Sequence, residues 1–226
     1  MHPHIDNRYC SFFDVDGTII NTRSVLSFLE FLRTEVPLNG GEFKRFYTLL
    51  CEMLSLKMPR EEVNRFYYSI YRGFRVDDIA SLGRKWFASV ESRRGFYNEE
   101  VLEKMRAHRR DGAQIVLVTG SFSQLLEPLT QKLEVDAILC SSLQIDGGMF
   151  TGLLDGPACI GQGKAQKMID YARRNNIDLN ACFAYGDDPS DLPMLALVGN
   201  PVMLKPDKAY NDELVRVLSG EPYQWH

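Results

Sequence analysis

The chain has 226 residues, 45% hydrophobic and 25% charged, with a net charge of −4. This is the balance of a soluble globular protein built as one domain with an insertion or as two small ones, and the negative charge argues against a non-specific nucleic-acid binder, which needs a basic surface. No apolar run approaches the ~20 residues of a membrane span, and the start from Met1 to Asp6 lacks the apolar core of a signal peptide, so neither nucleic acid nor membrane is an expected partner.

Cys10-Ser11-Phe12-Phe13 is an apolar run suited to a buried parallel strand. It ends in Asp14-Val15-Asp16-Gly17-Thr18. Ligands in open α/β sheets bind beyond the carboxyl ends of strands, so this run delivers Asp14 to a strand tip and Asp16 to the loop after it. Two carboxylates so close repel, and burial worsens the conflict. A hard cation such as Mg²⁺ relieves it; so does a proton retained on one carboxyl, which makes that group a general acid. A simple Asp/Gly turn is the plainer alternative.

Helical spacing follows at Ser24–Val36, is broken by Pro37-Leu38-Asn39-Gly40-Gly41, and resumes over Glu42–Met58. Pro59 suits the start of a third helix running to about Phe74, with Glu61 and Glu62 in its first turn. A fourth is expected over Asp77–Glu91. Residues 21–95 thus read as all-helical. Their aromatics mostly pack the helices together, and their arginines are mostly surface. Tyr67, Tyr68 and Arg72 are candidates for contact with a substrate.

From Asn98 onward helix and strand alternate. A helix is expected over Glu99–Arg110, a strand over Gln114–Thr119, a helix over Gln124–Leu133 interrupted by Pro128, and a short strand over Ala137–Cys140. Leu143–Leu153 reads as a hairpin about Asp146-Gly147-Gly148. A helix over Gly163–Asn175, a strand over Cys182–Gly186, a short helix over Leu192–Leu197 and a strand over Pro201–Leu204 complete the chain. Strands separated by helices imply a parallel sheet with right-handed crossovers. The expected fold is α/β, a Rossmann-like doubly wound parallel sheet with an inserted all-helical domain: 1–20 and 96–226 the core, 21–95 the insertion.

Three further sites fall at element ends. Thr119-Gly120-Ser121 ends its strand, where hydroxyls and backbone N–H groups form an anion site or Ser121 merely caps a helix. Lys164 opens a helix, where a cation opposes the dipole; a phosphate would hold it there, or it is a solvated lysine. Gly186-Asp187-Asp188-Pro189-Ser190-Asp191 puts three more carboxylates at a strand end, or forms a solvated turn. The five cysteines are scattered, odd in number and without CxxC, which suits reduced thiols and a cytoplasmic location. His2 and His4 are metal candidates or part of a frayed terminus.

The order DxDGT, TGS, Lys, GDxxxD resembles the haloacid dehalogenase superfamily of phosphatases, in particular its phosphoserine-phosphatase-like subgroup, over nearly the whole length, including Asp146–Gly152 and Pro201–Asp207. The resemblance implies five parallel core strands and a helical cap. It implies Asp14 as nucleophile and Asp16 as general acid/base. Thr119 and Gly120, with Thr18 and Ser121, would bind phosphate, and Lys164 would hold phosphate and nucleophile together. Mg²⁺ would be ligated by Asp14, Asp187 and the Asp16 backbone carbonyl, with Asp191 in support. Asp188 stands where these phosphatases usually have glycine. They carry a glutamate nine residues after the nucleophile, which meets the substrate ammonium; here that position is Arg23, which favours a substrate with an anionic or polyhydroxyl body over phosphoserine. The expected partner is a small phosphorylated metabolite, and the protein a monomer or homodimer. A phosphotransferase or mutase shares every motif, and a non-catalytic binding protein on the same fold is a further alternative.

Overall fold

The computed structural model describes residues 9–36 and 40–205. His2 and His4, residues 37–39 of the expected break, and the residues from 206 onward lie outside them. In chain order the elements are β1 (Cys10–Phe13), α1 (Ser24–Glu35), α2 (Gly40–Ser55), α3 (Arg60–Tyr68) with a 3-10 turn over Ser69–Tyr71, and α4 (Val76–Val90). Then follow α5 (Glu99–Arg110), β2 (Gln114–Phe122), α6 (Ser123–Lys132), β3 (Ala137–Ser141), and the hairpin strands β4 (Leu143–Asp146) and β5 (Met149–Leu154). The chain closes with α7 (Gln162–Asn175), β6 (Phe183–Gly186), α8 (Leu192–Leu195) and β7 (Asn200–Met203).

Five strands form one parallel sheet in the order β3-β2-β1-β6-β7. Every residue of β1 is buried, as a strand covered on both faces must be. Alternate residues serve the two faces. Phe13, Ile115 and Leu117 join the large cluster that extends into the α1–α4 helices, whereas Phe12, Val116 and Val118 pack with Met168 of α7 and Met194 of α8. The chain leaves β1 for β2 on one side and reaches β6 on the other, so a topological switch point lies between β1 and β6. That is where a doubly wound sheet opens a crevice for ligands.

The segments leading into and out of the helical insertion run side by side, joined by an isolated antiparallel bridge between Ile20 and Tyr97. Asn21 N–H donates to Phe96 O at 2.8 Å and Asn98 N–H to Ile19 O at 2.9 Å. Two expected helices end early, each for a local reason. Helix α2 stops at Ser55, not Met58, because Lys57 takes the left-handed conformation (φ 52°) and Met58 N–H bonds back to Met53 O at 3.0 Å, a Schellman termination. Helix α3 stops before Phe74 because residues 73–76 pair with the hairpin instead: Gly73 N–H to Phe150 O and Phe150 N–H to Phe74 O, both 2.9 Å. The hairpin turns on Gly147 and Gly148, both with positive φ, as its two-residue loop requires.

Strand β2 runs beyond Thr119 to Phe122. Its register against β3 slips there, Thr119 pairing with Cys140 and Phe122 with Ser141, so Gly120 and Ser121 are bulged out of the ladder. Such bulges re-aim the chain beside functional sites. Pro128 sits inside α6 without ending it.

Candidate active site

Asp14 follows β1 directly and is buried, its own N–H bonded to Tyr185 O of β6 at 2.9 Å. Val15 then closes a single helical turn, accepting from the N–H groups of Thr18, Ile19 and Ile20. That turn faces Asp187, which follows β6. A side chain on Gly17 (φ 89°) would come within 2.4 Å of the Asp187 carboxylate, so glycine is required for both conformation and approach.

Lys164, in the first turn of α7, reaches Asp14 Oδ1 and, at 2.6 Å, Asp191 Oδ1. Two carboxylates therefore hold the cation against the helix dipole. Asp191 Oδ2 accepts the N–H groups of Asp187 and Asp188 at 3.1 Å each. Both of its oxygens are thus committed. Asp14, Asp187 and Asp191 are all buried, and one carboxylate oxygen from each lies within 4.8 Å of the others. Three carboxylates against one ammonium leave an excess of negative charge. Burial drives Asp14 well above the usual carboxylate range, against the pull of Lys164. Asp187 is pushed up to about 6, chiefly by burial and despite its bond from Thr18. For Lys164 burial alone would lower the value, but the two aspartates outweigh it and raise it.

Asp187 Oδ2 is buried with no hydrogen-bond partner. The cost of leaving such an atom unmet is high, and a hard divalent cation would meet it with the oxygen donors that Mg²⁺ prefers. The donor set fits that ion.

Asp16 is half-buried, with its Oδ1 enclosed. Ser24 Oγ donates to its Oδ2 at 3.0 Å, while Oδ1 has no partner. Burial raises its pKa, and the Ser24 bonds and the Arg23 charge only partly restore it.

Two adjoining cavities open at this point. The inner one, about 60 Å³, is lined by Asp14, Asp16, Lys164, Thr119, Gly120 and Ser121, together with Asn64 and Arg60 from α3. The outer one, about 310 Å³, is walled largely by the insertion, with Arg23, Lys57 and Tyr67 in its lining. Asp16, Val25, Arg60, Asn64, Ile160 and Asp188 border both.

Most of the residues singled out in the sequence thus converge. Thr18 departs from its expected role: its hydroxyl donates to Asp187 Oδ1 at 2.9 Å, and it lines neither cavity. It orients a carboxylate rather than meeting an anion. Arg23 is half-buried and lines the outer cavity. Of the three side chains considered for substrate contact, only Tyr67 lines either of these two cavities, and its hydroxyl is tied to Val25 O at 2.6 Å. Tyr68 is buried against Gly120 O at 2.6 Å, and Arg72 packs beside Gly152 on the hairpin.

Asp188 gains a role. Its carboxylate caps the 3-10 turn at Ser190 and pairs with Arg60 Nη1 at 2.5 Å, which holds it below the usual range although burial pushes the other way. The same guanidinium donates to Ser190 Oγ at 3.1 Å. The Gly120 carbonyl is met by Asn64 Nδ2 at 3.0 Å, Tyr68 OH at 2.6 Å and Ser141 Oγ at 3.0 Å. Helix α3 is thereby fastened to both the acidic loop and the β2 bulge. Sequence reasoning passed over Ser24, Arg60 and Asn64. A polar residue on the buried face of α3 was the one available signal, and only for Asn64.

A doubly wound α/β sheet with buried carboxylates and a buried lysine at its switch point defines a Rossmann-like protein with a charged site at the sheet's edge. The family model for haloacid dehalogenase-like hydrolases matches residues 11–196, and the chain belongs to that family. It is 26% identical over 217 residues to the "Inhibition of morphological differentiation protein" of Streptomyces azureus, covering 94% of this chain and 77% of that one. It is 27% identical over 222 residues to phosphoserine phosphatase SerB1 of Mycobacterium tuberculosis, covering 91% of this chain and 67% of that one. Among solved structures, a Bordetella pertussis protein of unknown function superposes with a TM-score of 0.79 at 20% identity, covering 95% of this chain and 96% of that one. A phospho-aspartyl intermediate analogue of phosphoserine phosphatase superposes with a TM-score of 0.63 at 18% identity, covering 92% of this chain and 91% of that one. These likenesses are of fold. Among the described residues no helix is long and apolar enough to cross a membrane.

Proposed function

We propose that the protein is a Mg²⁺-dependent phosphatase that hydrolyses a small phosphate monoester through an aspartyl-phosphate on Asp14. The observation that carries this reading is the inner cavity, about 60 Å³, in which Asp14, Asp16, Lys164 and the bulged Thr119–Ser121 segment meet. The names of phosphatase relatives agree with it.

The phosphoryl group sits in the inner cavity, its oxygens met by Lys164 and the 119–121 segment, and the alcohol portion extends past Asp16 into the outer one. A carboxylate oxygen of Asp14 forms a bond to phosphorus as the ester P–O bond breaks. Asp16, its pKa raised by burial and its Oδ2 held by Ser24, gives a proton to the departing alkoxide. Water then attacks phosphorus, its proton passes to Asp16, and the acyl-phosphate bond breaks to return Asp14. Asp14, Asp187 and the Asp16 backbone carbonyl would hold Mg²⁺, which supplies charge neutralisation for the phosphoryl oxygens; Asp191, with both oxygens engaged, positions Lys164 and the Asp187 loop. Residues 21–95 act as the cap, hinged near Asn21–Ser24 and 93–98, and the Arg60–Asp188 pair clasps it shut. Closure excludes bulk water from the mixed anhydride.

The body of the substrate is not that of phosphoserine, since Arg23 would repel an ammonium group at the mouth of the inner cavity. Turnover of p-nitrophenyl phosphate with added Mg²⁺, trapping of acid-stable protein-bound phosphate, and loss of both in Asp14→Asn test the reading. A folded Asp14→Asn protein with full turnover would overturn it.

A further inference from the structure

The outer cavity, about 310 Å³, has a largely apolar wall. Its walls include Leu26, Leu50, Leu54, Met58 and Val63, all projecting from the insertion, and Leu26 and Leu50 are themselves buried. The acidic and amide groups of the lining, Asp16, Asp188 and Asn64, all lie where it borders the inner cavity, so a polyhydroxyl body reaching past them would lose its hydration against methyl groups over much of its length. Each methylene buried here instead is worth roughly four-fold in affinity.

The second observation is Lys57. It occupies the left-handed C′ position of α2, with φ 52°, a position that favours glycine or asparagine. That conformation ends α2, and it leaves the Lys57 side chain exposed at the edge of the cavity. Lys57 lines the outer cavity but not the inner one. Of the other cations there, Arg60 is paired with Asp188, and Arg23 lies near enough to Asp16 for its charge to act on that carboxyl.

We infer that the alcohol carried by the substrate is mainly apolar and ends in an anionic group received by Lys57. This rests on the phosphatase reading above and deepens it. An apolar body replaces the polyhydroxyl alternative, and the anion expected opposite Arg23 moves outward to α2.

The test compares kcat/KM for four phosphate monoesters, each below any micelle concentration: ω-hydroxyoctanoate phosphate, n-octyl phosphate, glycerol phosphate and phosphoserine, with p-nitrophenyl phosphate as reference. The expected order places ω-hydroxyoctanoate phosphate first and at least about ten-fold above glycerol phosphate and phosphoserine. Lys57→Gly removes the ammonium while suiting the backbone, so its melting temperature holds or rises. It should lower the preference for ω-hydroxyoctanoate phosphate over n-octyl phosphate about ten-fold, through KM, and Lys57→Arg should restore it. Equal activity on glycerol phosphate and the octyl esters, or an unchanged preference in Lys57→Gly, would overturn the inference alone. Absence of p-nitrophenyl phosphate turnover would overturn the phosphatase reading, and the inference with it.

Discussion

The two cavities are built on opposite plans. The inner one is walled by strand tips and by side chains held in place by one another: Lys164 by two aspartates, Asp191 by Lys164 and two amides, and Asp16 at its Oδ2 by Ser24. The outer one is walled by α1–α3 with aliphatic carbon and cations at its lining. The first is fixed by a sheet that is buried on both faces, the second by helices that hold to the core through a few polar ties. Chemistry that must be held to fractions of an ångström belongs on the former, and selection among substrates belongs on the latter.

That contrast can be broken first at Asp14. Asp14→Asn should cost about 1,000-fold or more in turnover on every phosphate monoester, because the nucleophile serves all of them; a loss confined to some substrates would erase the division between the two cavities. Chelation of divalent ions should likewise silence turnover on all substrates alike. Mg²⁺ should restore it and raise the melting temperature, since binding to the native state alone stabilises it. A chelated protein with normal turnover would remove the metal from the reading.

Arg60→Ala acts at the junction. Arg60 is 45% and Asp188 27% exposed, so the pair contributes little to stability, about 0.2–1 kcal/mol. Its loss should instead raise KM several-fold with a smaller change in kcat, as the clasp between α3 and the acidic loop opens. A fall in kcat with KM unchanged would assign Arg60 to the reacting centre.

The smallest effect lies beneath the sheet. His108 is buried between Tyr9 OH at 3.1 Å and Tyr185 OH at 2.7 Å, and burial lowers its pKa below the ordinary 6.5. The folded protein therefore binds fewer protons than the unfolded chain below about pH 6.5. His108 contributes stability that is present above that pH and is lost as pH falls through the depressed folded value. Melting temperatures from pH 7.5 to 5 should fall, and His108→Gln should flatten the slope without altering the order of substrates. An unchanged slope in the variant would remove His108 as its cause.

The sequence by itself determined the sheet and its acidic rim. An apolar run such as Cys10–Phe13 suits a buried strand, and a carboxylate just past such a run emerges at the sheet's edge, which placed Asp14 and Asp187; Lys164 was picked out by the order of the motifs rather than by spacing. The hairpin turn at Gly147-Gly148 was equally plain, because few residues tolerate two successive positive φ angles. Only the tertiary structure decided what lies between elements distant in the chain. Helix periodicity told that α2 and α3 have apolar faces, but not that Leu50, Leu54 and Met58 would leave a cavity rather than fill one. Nor could spacing tell that Arg60 would meet Asp188 across 128 positions, that Thr18 would turn to Asp187 rather than to a ligand, or that β2 would continue through a bulge. Local pattern reports which side of an element is buried; which partner it is buried against depends on packing geometry summed over the whole fold, and that information is not carried by any one segment.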